Sequence, residues 1–426
     1  MKIYRALHTG NWDTLIRRPE IDSQDIRPQV TKLLQQVKDN GDQAIYELTR
    51  QFDGVLLDSM LVGPQEMQAV DAVDEPLKAA IIQAKDNITA FHQEQAEQTA
   101  IIETMPGVQC WRRSVAIQRV GLYVPGGSAP LFSTVLMLGV PAMLAGCEQI
   151  QLCTPPRKDG TIHPAILFAA KLVGITQIYK IGGIQAIGAL AYGTKTVAKV
   201  DKIFGPGNRF VTMAKQIVSQ QGVAIDIPAG PSEVLILADS AANPQFIAAD
   251  LLAQAEHGPD SQCILITDSA LLLDQVYQAV EGQAKKATRT EQIEKALQNC
   301  RLILAGDHQQ AIDFSNAYAP EHLIIMSRDP HADSLKIYNA GSVFLGDYTP
   351  VAAGDYASGT NHTLPTNGWA TTHSGVSLDS FVKKITFQSI TPGGLALIGP
   401  VIQKMAQAEQ LDAHSDAVSI RLDHIQ

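Results

Sequence analysis

Charge is scarce in this sequence. Charged residues make up 18% of the 426-residue chain, below the roughly 25% usual in soluble proteins, which implies a large buried interior, part of it a candidate subunit interface. Basic clusters are missing as well. The longest Lys/Arg runs are pairs such as Arg112-Arg113 and Lys285-Lys286, on a chain of net charge -10, which argues against nucleic acid as a partner. There is no C-x-x-C pair among the five cysteines, Cys110, Cys147, Cys153, Cys263 and Cys300. Their odd number and spacing exclude a disulfide frame or a thiolate zinc site and read as reduced thiols of a cytoplasmic protein. Residues 1–16 are polar and charged, with no apolar signal segment. A long hydrophobic run is also lacking. No charge falls between Arg119 and Glu148, yet only Leu131 to Cys147 is predominantly apolar, and Ser133, Thr134 and Pro141 interrupt it. That is short of the roughly 20 residues a spanning helix needs, so a buried core helix is expected and no membrane partner. Finally, no G-x-G-x-x-G follows a first strand. Gly182-Gly183 and Gly205-Pro206-Gly207-Asn208 allow close backbone approach to a ligand but lack the dinucleotide fingerprint.

What is present is periodicity. The length implies two or three domains. The first hundred residues carry helical stripes: Val30, Leu33, Leu34, Val37, then Ala44, Ile45, Leu48, and later Leu77, Ile81, Ala84, Ile88, Phe91. From Val115 the texture becomes strand, glycine loop, helix, strand. Val120 to Val124 is a strand, Pro125 to Pro130 a loop, Leu131 to Ala145 a helix and Gln149 to Thr154 the next strand. The pattern continues through Gln177 to Ile181 and the helix Gln185 to Tyr192. It then repeats, with a second glycine-proline-serine loop, Ala229 to Glu233, beside the strand Val234 to Leu237. A helix from Pro244 to Ala255 and strands at Gln262, Arg301, Leu323 and Gly341 follow. Alternation of this kind implies parallel sheets covered on both faces, and its recurrence implies an internal duplication. Beyond Ser377 a largely helical tail is expected.

Four polar clusters interrupt this pattern. Gln254 and His257 are three apart at a helix end that Gly258-Pro259 terminates, so both can share one face. His257 there is either a metal ligand or a cap on a helix C-terminus, and its place at a sheet rim suits ligand binding. Glu321 and His322 adjoin at the edge of the strand that begins at Leu323. They form either an acid–base pair with different intrinsic pKa values or two groups satisfying local backbone. Asp355, between glycines in a polar loop running to His362, points to binding or to an Asx-type turn. Glu409 and His414 lie in the tail, and only a helix break near Leu411-Asp412 would aim both inward; otherwise His414 is a solvent-exposed histidine.

Five stretches resemble the histidinol dehydrogenase family: Ile225 to Glu233 through Ala249 to His257, Gly121 to Ser128, Phe204 to Asn208, Pro320 to His322, and Gly354 to His362. The similarity runs in order from about residue 25 to the end, while the first twenty-odd residues do not help. The resemblance implies the last step of histidine biosynthesis, oxidation of L-histidinol to L-histidine through L-histidinaldehyde in two hydride transfers to NAD. It implies Gln254, His257, Asp355 and His414 as ligands of one zinc ion per subunit, and Glu321 and His322 as the acid–base pair. Ser232 and Glu409 join the ligands and His322 in binding substrate, and Tyr123, Gln185 and Asn208 contact NAD. A homodimer is implied, with the tail completing the partner's site. The fold class expected is α/β, two Rossmann-like, incomplete and duplicated domains with parallel sheets plus small helical terminal segments. The division expected is a helical segment 1–18, a first α/β domain from 19–122 and 232–376, a second on the NAD side from 123–231, and the tail 377–426. An N/O ligand set suits zinc but accepts manganese or cobalt, with the metal as a template for the substrate. No cysteine nucleophile is expected, Cys153 being the one exception to weigh. Two other readings compete: a zinc-dependent hydrolase of a small amine-containing substrate, and a non-catalytic nucleotide- or metabolite-binding protein.

Overall fold

The computed structural model describes residues 1–7, 10, 12–18, 25–126, 129–227 and 230–425. Gly127 and Ser128 of the first glycine loop, and Pro228 and Ala229 before the second, lie outside the described residues. The strands are β1 (Lys2–Tyr4), β2 (Ile101–Met105), β3 (Val108–Ala116), β4 (Arg119–Tyr123), β5 (Gln149–Thr154), β6 (Gln177–Lys180) and β7 (Lys202–Phe204). They continue as β8 (Ala224–Ile225), β9 (Glu233–Ala238), β10 (Gln262–Thr267), β11 (Arg301–Leu304), β12 (His322–Met326), β13 (Ser342–Leu345) and β14 (Val382–Ile390).

The protein is α/β, with two parallel sheets wrapped by helices. A five-stranded sheet runs β6-β5-β4-β7-β8 and a six-stranded sheet β1-β11-β10-β9-β12-β13. Counted along each half, both sheets have the order 3-2-1-4-5, so the duplication legible in the sequence is a duplication of topology. Strands β9, β10 and β12 are buried at every position. Near-continuous apolar runs such as Val234-Leu235-Ile236-Leu237 are what a sheet covered on both faces demands.

Three expectations need correction. The helices of residues 25–93 do not join the six-stranded sheet; they cover the five-stranded one. Val30, Leu34 and Val37 of the helix Arg27–Asn40 share a core with Ile184, Ile187 and Leu190. Gly188 lets that helix approach, since a Cβ there would lie 3.1 Å from Val37. On the opposite face Ile81, Ala84 and Ile88 pack with Val135 and Ile166. The last position of that stripe is also displaced, with His92 rather than Phe91 buried. The first residues are not purely helical either, for β1 pairs with β11 and extends the six-stranded sheet, ahead of a short helix Trp12–Ile16.

The third correction concerns the tail. Before its helices it contributes β14, which pairs antiparallel with β3 over nine positions in a three-stranded sheet, β14-β3-β2. These strands are mostly exposed or half-buried. They therefore lack the alternation that a half-buried strand shows. By contrast, the uncharged stretch after Arg119 forms the expected core helix, Phe132–Ala145, buried continuously from Ser133 to Ala142. Among the described residues, no helix is long and apolar enough to cross a membrane.

Candidate active site

Strand β9 begins at Glu233 and β12 at His322, side by side, with His322 in register with Val234. This places Ser232, Glu321 and His322 on the amino-end rim of the six-stranded sheet. The helix Pro244–Ala255 returns to the same rim and delivers Gln254 and His257 there. The rim is thus the opposite one from the carboxyl ends where open α/β sheets usually bind ligands. Asp355 lies on a short helix, Val351–Tyr356, rather than in the expected loop. Asp250 accepts the Val351 N–H at 3.1 Å and so fastens that helix to the one bearing Gln254. Burial pushes the Asp250 carboxyl up to about 6.

Glu321 and His322 each satisfy local backbone, and their side chains also approach one another to 3.5 Å. His322 Nδ1 donates to the Glu233 carbonyl at 3.0 Å, and Glu321 Oε2 accepts the Glu233 N–H at 2.7 Å. Because a carbonyl only accepts, Nδ1 carries the proton, and in the neutral ring Nε2 holds the lone pair. That Nε2 is buried without a hydrogen-bond partner and faces Asp355 Oδ1 at 3.6 Å. Burial opposes charge on His322, but Glu321 and Asp355 outweigh it and hold the imidazole's pKa well above its usual range. Burial likewise raises Asp355, yet the close approach of His322 and the nearby His362 and His257 charges bring it below the ordinary value.

The cation ligands implied by the resemblance fall in two groups. Gln254 is buried with its Nε2 unpartnered. His257 is exposed at the turn after its helix, close enough to act electrostatically on Asp355. All three lie on or just after two helices that are fastened together, Pro244–Ala255 and Val351–Tyr356. His414 and Glu409 do not join them within one chain. The helices Pro392–Ala408 and Asp412–Ile425 form a hairpin that packs chiefly on itself. Glu409 closes the first helix and Gln410 takes φ +60, so the break needed between Glu409 and His414 is present. Both residues are exposed. Leu397, Val401 and Met405, four apart, form an uncovered apolar stripe on the hairpin. Among the described residues, no three His, Cys, Asp or Glu cluster as a metal site.

The carboxyl ends of the five-stranded sheet open into a cleft of about 930 Å³. Tyr123, Gln185 and Asn208 line it, with Gly126, Pro155, Asp53 and Lys158. The Tyr123 hydroxyl accepts the Gly183 N–H at 3.1 Å, and burial pushes its pKa up to about 12. Gln185 donates to Asp53 Oδ2 at 3.4 Å and leaves its own Oε1 buried without a partner. Asn208 caps the helix Arg209–Ser219, accepting from Phe210 and Val211 N–H. Gly205 is irreplaceable sterically: at φ +122, a Cβ would stand 1.9 Å from the Tyr123 carbonyl oxygen. Its N–H donates to Asp226 and its carbonyl accepts from Lys215, which form a buried ion pair. Helix N-termini at Gly183 and Arg209 face the cleft, the arrangement that suits a pyrophosphate.

The two regions are joined through His362. Its Nδ1 donates to the Asp355 carbonyl at 2.8 Å, so its Nε2 accepts from Thr134 Oγ1 at 3.2 Å. Thr134 opens the helix that follows the first glycine loop. Cys153, Cys263 and Cys300 are fully buried and burial drives their pKa values up, and all five cysteines are unpaired. Glu233, whose backbone holds both Glu321 and His322, was signalled in the sequence only by a lone acid opening an otherwise apolar strand.

The histidinol dehydrogenase family model matches residues 16–422. A histidinol dehydrogenase of Bacteroides fragilis is 53% identical over 426 residues, covering all of both chains. One of Bacteroides thetaiotaomicron is 54% identical over 424 residues, 99% of each. The crystal structure of histidinol dehydrogenase from Elizabethkingia anophelis superposes with a TM-score of 0.98 at 52% identity, over 100% of this chain and 98% of that one.

Proposed function

The chain belongs to the histidinol dehydrogenase family and is an NAD-dependent oxidoreductase of histidine biosynthesis, and from that premise we propose that it takes L-histidinol through L-histidinaldehyde to L-histidine at the Glu321–His322–Asp355 site. Membership sets aside the hydrolase and the non-catalytic readings. The observation that carries the assignment is the partnerless, buried Nε2 of His322. Its other nitrogen is committed to the Glu233 carbonyl, so Nε2, once deprotonated, is available to what enters the site.

Bound NAD supplies the hydride acceptor for both oxidations, and the cleft lined by Tyr123, Gln185 and Asn208 fits it. His322 Nε2 takes the alcohol proton as the carbinol hydride departs. Glu321, 3.5 Å from His322 Nδ1, then draws a proton from the water that adds to the aldehyde. His322 returns its first proton to the carbonyl oxygen as that water adds and, neutral again, takes a proton from the resulting hydrate for the second oxidation. A cation and the substrate's ammonium group at Asp355 would offset the carboxylate field on His322 and bring its proton affinity down toward the working pH.

The residues fit a zinc ion: Gln254 is a buried amide short of a partner whose oxygen can ligate, beside the His257 imidazole and the Asp355 carboxylate, all nitrogen or oxygen ligands. Zinc there supplies a template for the substrate's imidazole and amino nitrogens. One chain provides three donors, so His414 on the hairpin completes the set from a second copy and brings Glu409 as a substrate contact opposite Ser232 of the first. The exposed stripe Leu397, Val401, Met405 supports the same dimer. Five unpaired cysteines suit the cytoplasm.

Histidinol and NAD added to the metal-loaded protein should yield two NADH per histidinol. His322→Asn should lower turnover about 10²–10⁴-fold with metal content unchanged, and comparable turnover in that variant would remove His322 from the role.

A further inference from the structure

Glu233 stands between the two reacting groups through its backbone alone: its N–H holds Glu321 and its carbonyl holds His322. Its side chain turns the other way and is buried on Arg18. Nε and Nη2 of Arg18 donate to the two carboxylate oxygens at 2.6 and 2.8 Å. The same Nη2 reaches the Tyr318 carbonyl at 2.8 Å and the Ala319 carbonyl at 3.3 Å. The guanidinium lies over the Tyr318 ring, 4.0 Å from its centroid. Ala319, two residues before Glu321, has φ +50, a left-handed conformation that costs a residue bearing a Cβ. Arg18 itself is anchored from behind, because Arg301 donates to the Leu15 and Arg17 carbonyls.

We infer that Arg18 is a positioning residue for the oxidation: one guanidinium clamps the start of β9 to the turn before β12 and thereby sets the aim of Glu321 and His322. A buried ion pair is poor evidence of stability for its own sake. Here the cation serves acceptors on two chain segments at once, a task for a planar fork of donors that an ammonium cannot reproduce. It also cancels the Glu233 charge, which leaves Glu321 and Asp355 as the carboxylates paired with His322. The amino-terminal segment, which the resemblance left unused, thus acts on the chemistry from outside the substrate's reach.

This role rests on Glu321 and His322 being the acid–base pair, so His322→Asn is measured beside Arg18→Ala in the metal-loaded, full-length enzyme. Arg18→Ala should lose about 10–100-fold in kcat, the scale of an ångström misplacement, with the KM for histidinol within about 3-fold. Added guanidinium should restore much of the loss, and Arg18→Lys should remain slow. Because Arg18→Ala strands a buried carboxylate, Arg18→Met with Glu233→Gln serves as the folded counterpart and should also be slow at unchanged melting temperature. Wild-type kcat in either variant, or a loss that guanidinium does not touch and that tracks melting temperature alone, overturns the role. Full activity in His322→Asn overturns instead the acid–base reading beneath it.

Discussion

The two parallel sheets share a strand order and use opposite ends of it. The five-stranded sheet opens its cleft at the carboxyl ends, where helix N-termini gather. The six-stranded sheet gathers Ser232, Glu321 and His322 at the amino ends, where the helix Pro244–Ala255 terminates beside Gln254 and His257. Helix dipoles make the difference intelligible. The first rim presents partial positive charge, which suits a dinucleotide's phosphates; the second presents partial negative charge, which suits a cation and a protonated amine. On the proposed assignment the duplicated topology did not duplicate a site, and the charge of each ligand matches the end that would bind it.

Glycine substitutions offer the sharpest way to break this division. Gly205→Ala places a Cβ 1.9 Å from the Tyr123 carbonyl oxygen, and Gly341→Ala places one 2.5 Å from the Glu321 carbonyl oxygen. The first should raise the KM for NAD at least about 10-fold, and the second should lower kcat by a similar factor with NAD binding retained. Steady-state kinetics on folded variants decides; both changes falling on one parameter would erase the division. A smaller effect is expected from Cys153, which packs beside Tyr123 in the nucleotide half. Burial drives its thiol away from the thiolate form that a covalent aldehyde oxidation needs. Cys153→Ala should stay within about 3-fold of wild-type turnover, and an inactive variant would put a thiol route back in contention.

The smallest effect is thermodynamic, and each half has one instance. Burial pushes Asp53 in the nucleotide half and Asp250 in the substrate half up to about 6. A carboxyl whose folded pKa is raised favours folding below its unfolded pKa, and that contribution is lost as pH rises through about 6. Asp53→Asn and Asp250→Asn should therefore each raise the melting temperature by a few degrees at pH 8 and by less at pH 4. A gain larger at pH 4 would contradict the sign.

Much of the architecture was legible because burial writes itself into sequence. Val234 to Leu237 and Leu323 to Met326 are apolar throughout, as strands covered on both faces must be. The strands β3 and β14 bury no continuous face, so nothing in their residue order announced them. A helical stripe such as Val30, Leu34, Val37 declares that it packs, not against what, and its partner sheet was misassigned for that reason. In the site, Glu321 with His322 and Gln254 with His257 were visible as local spacings. Asp355 was visible as a residue but not as part of a helix, since Asp250, far away in sequence, supplies the bond that starts it. Arg18 and Glu233 meet across 215 positions, and no local pattern reports such a pairing.

The antiparallel pairing of β3 with β14 has a consequence for the carboxyl-terminal hairpin. Gly107 and Gly394 press together at the foot of that hairpin, where a Cβ on Gly394 would lie 2.4 Å from the Gly107 carbonyl oxygen. The joint is thus rigid, and the hairpin's bearing is dictated by strand register. Successive residues of a strand face opposite ways, so a single residue inserted within Val382–Ile390 would swing Glu409 and His414 to the far side while both parallel sheets stayed intact. In such a chain the hairpin alone would change its bearing.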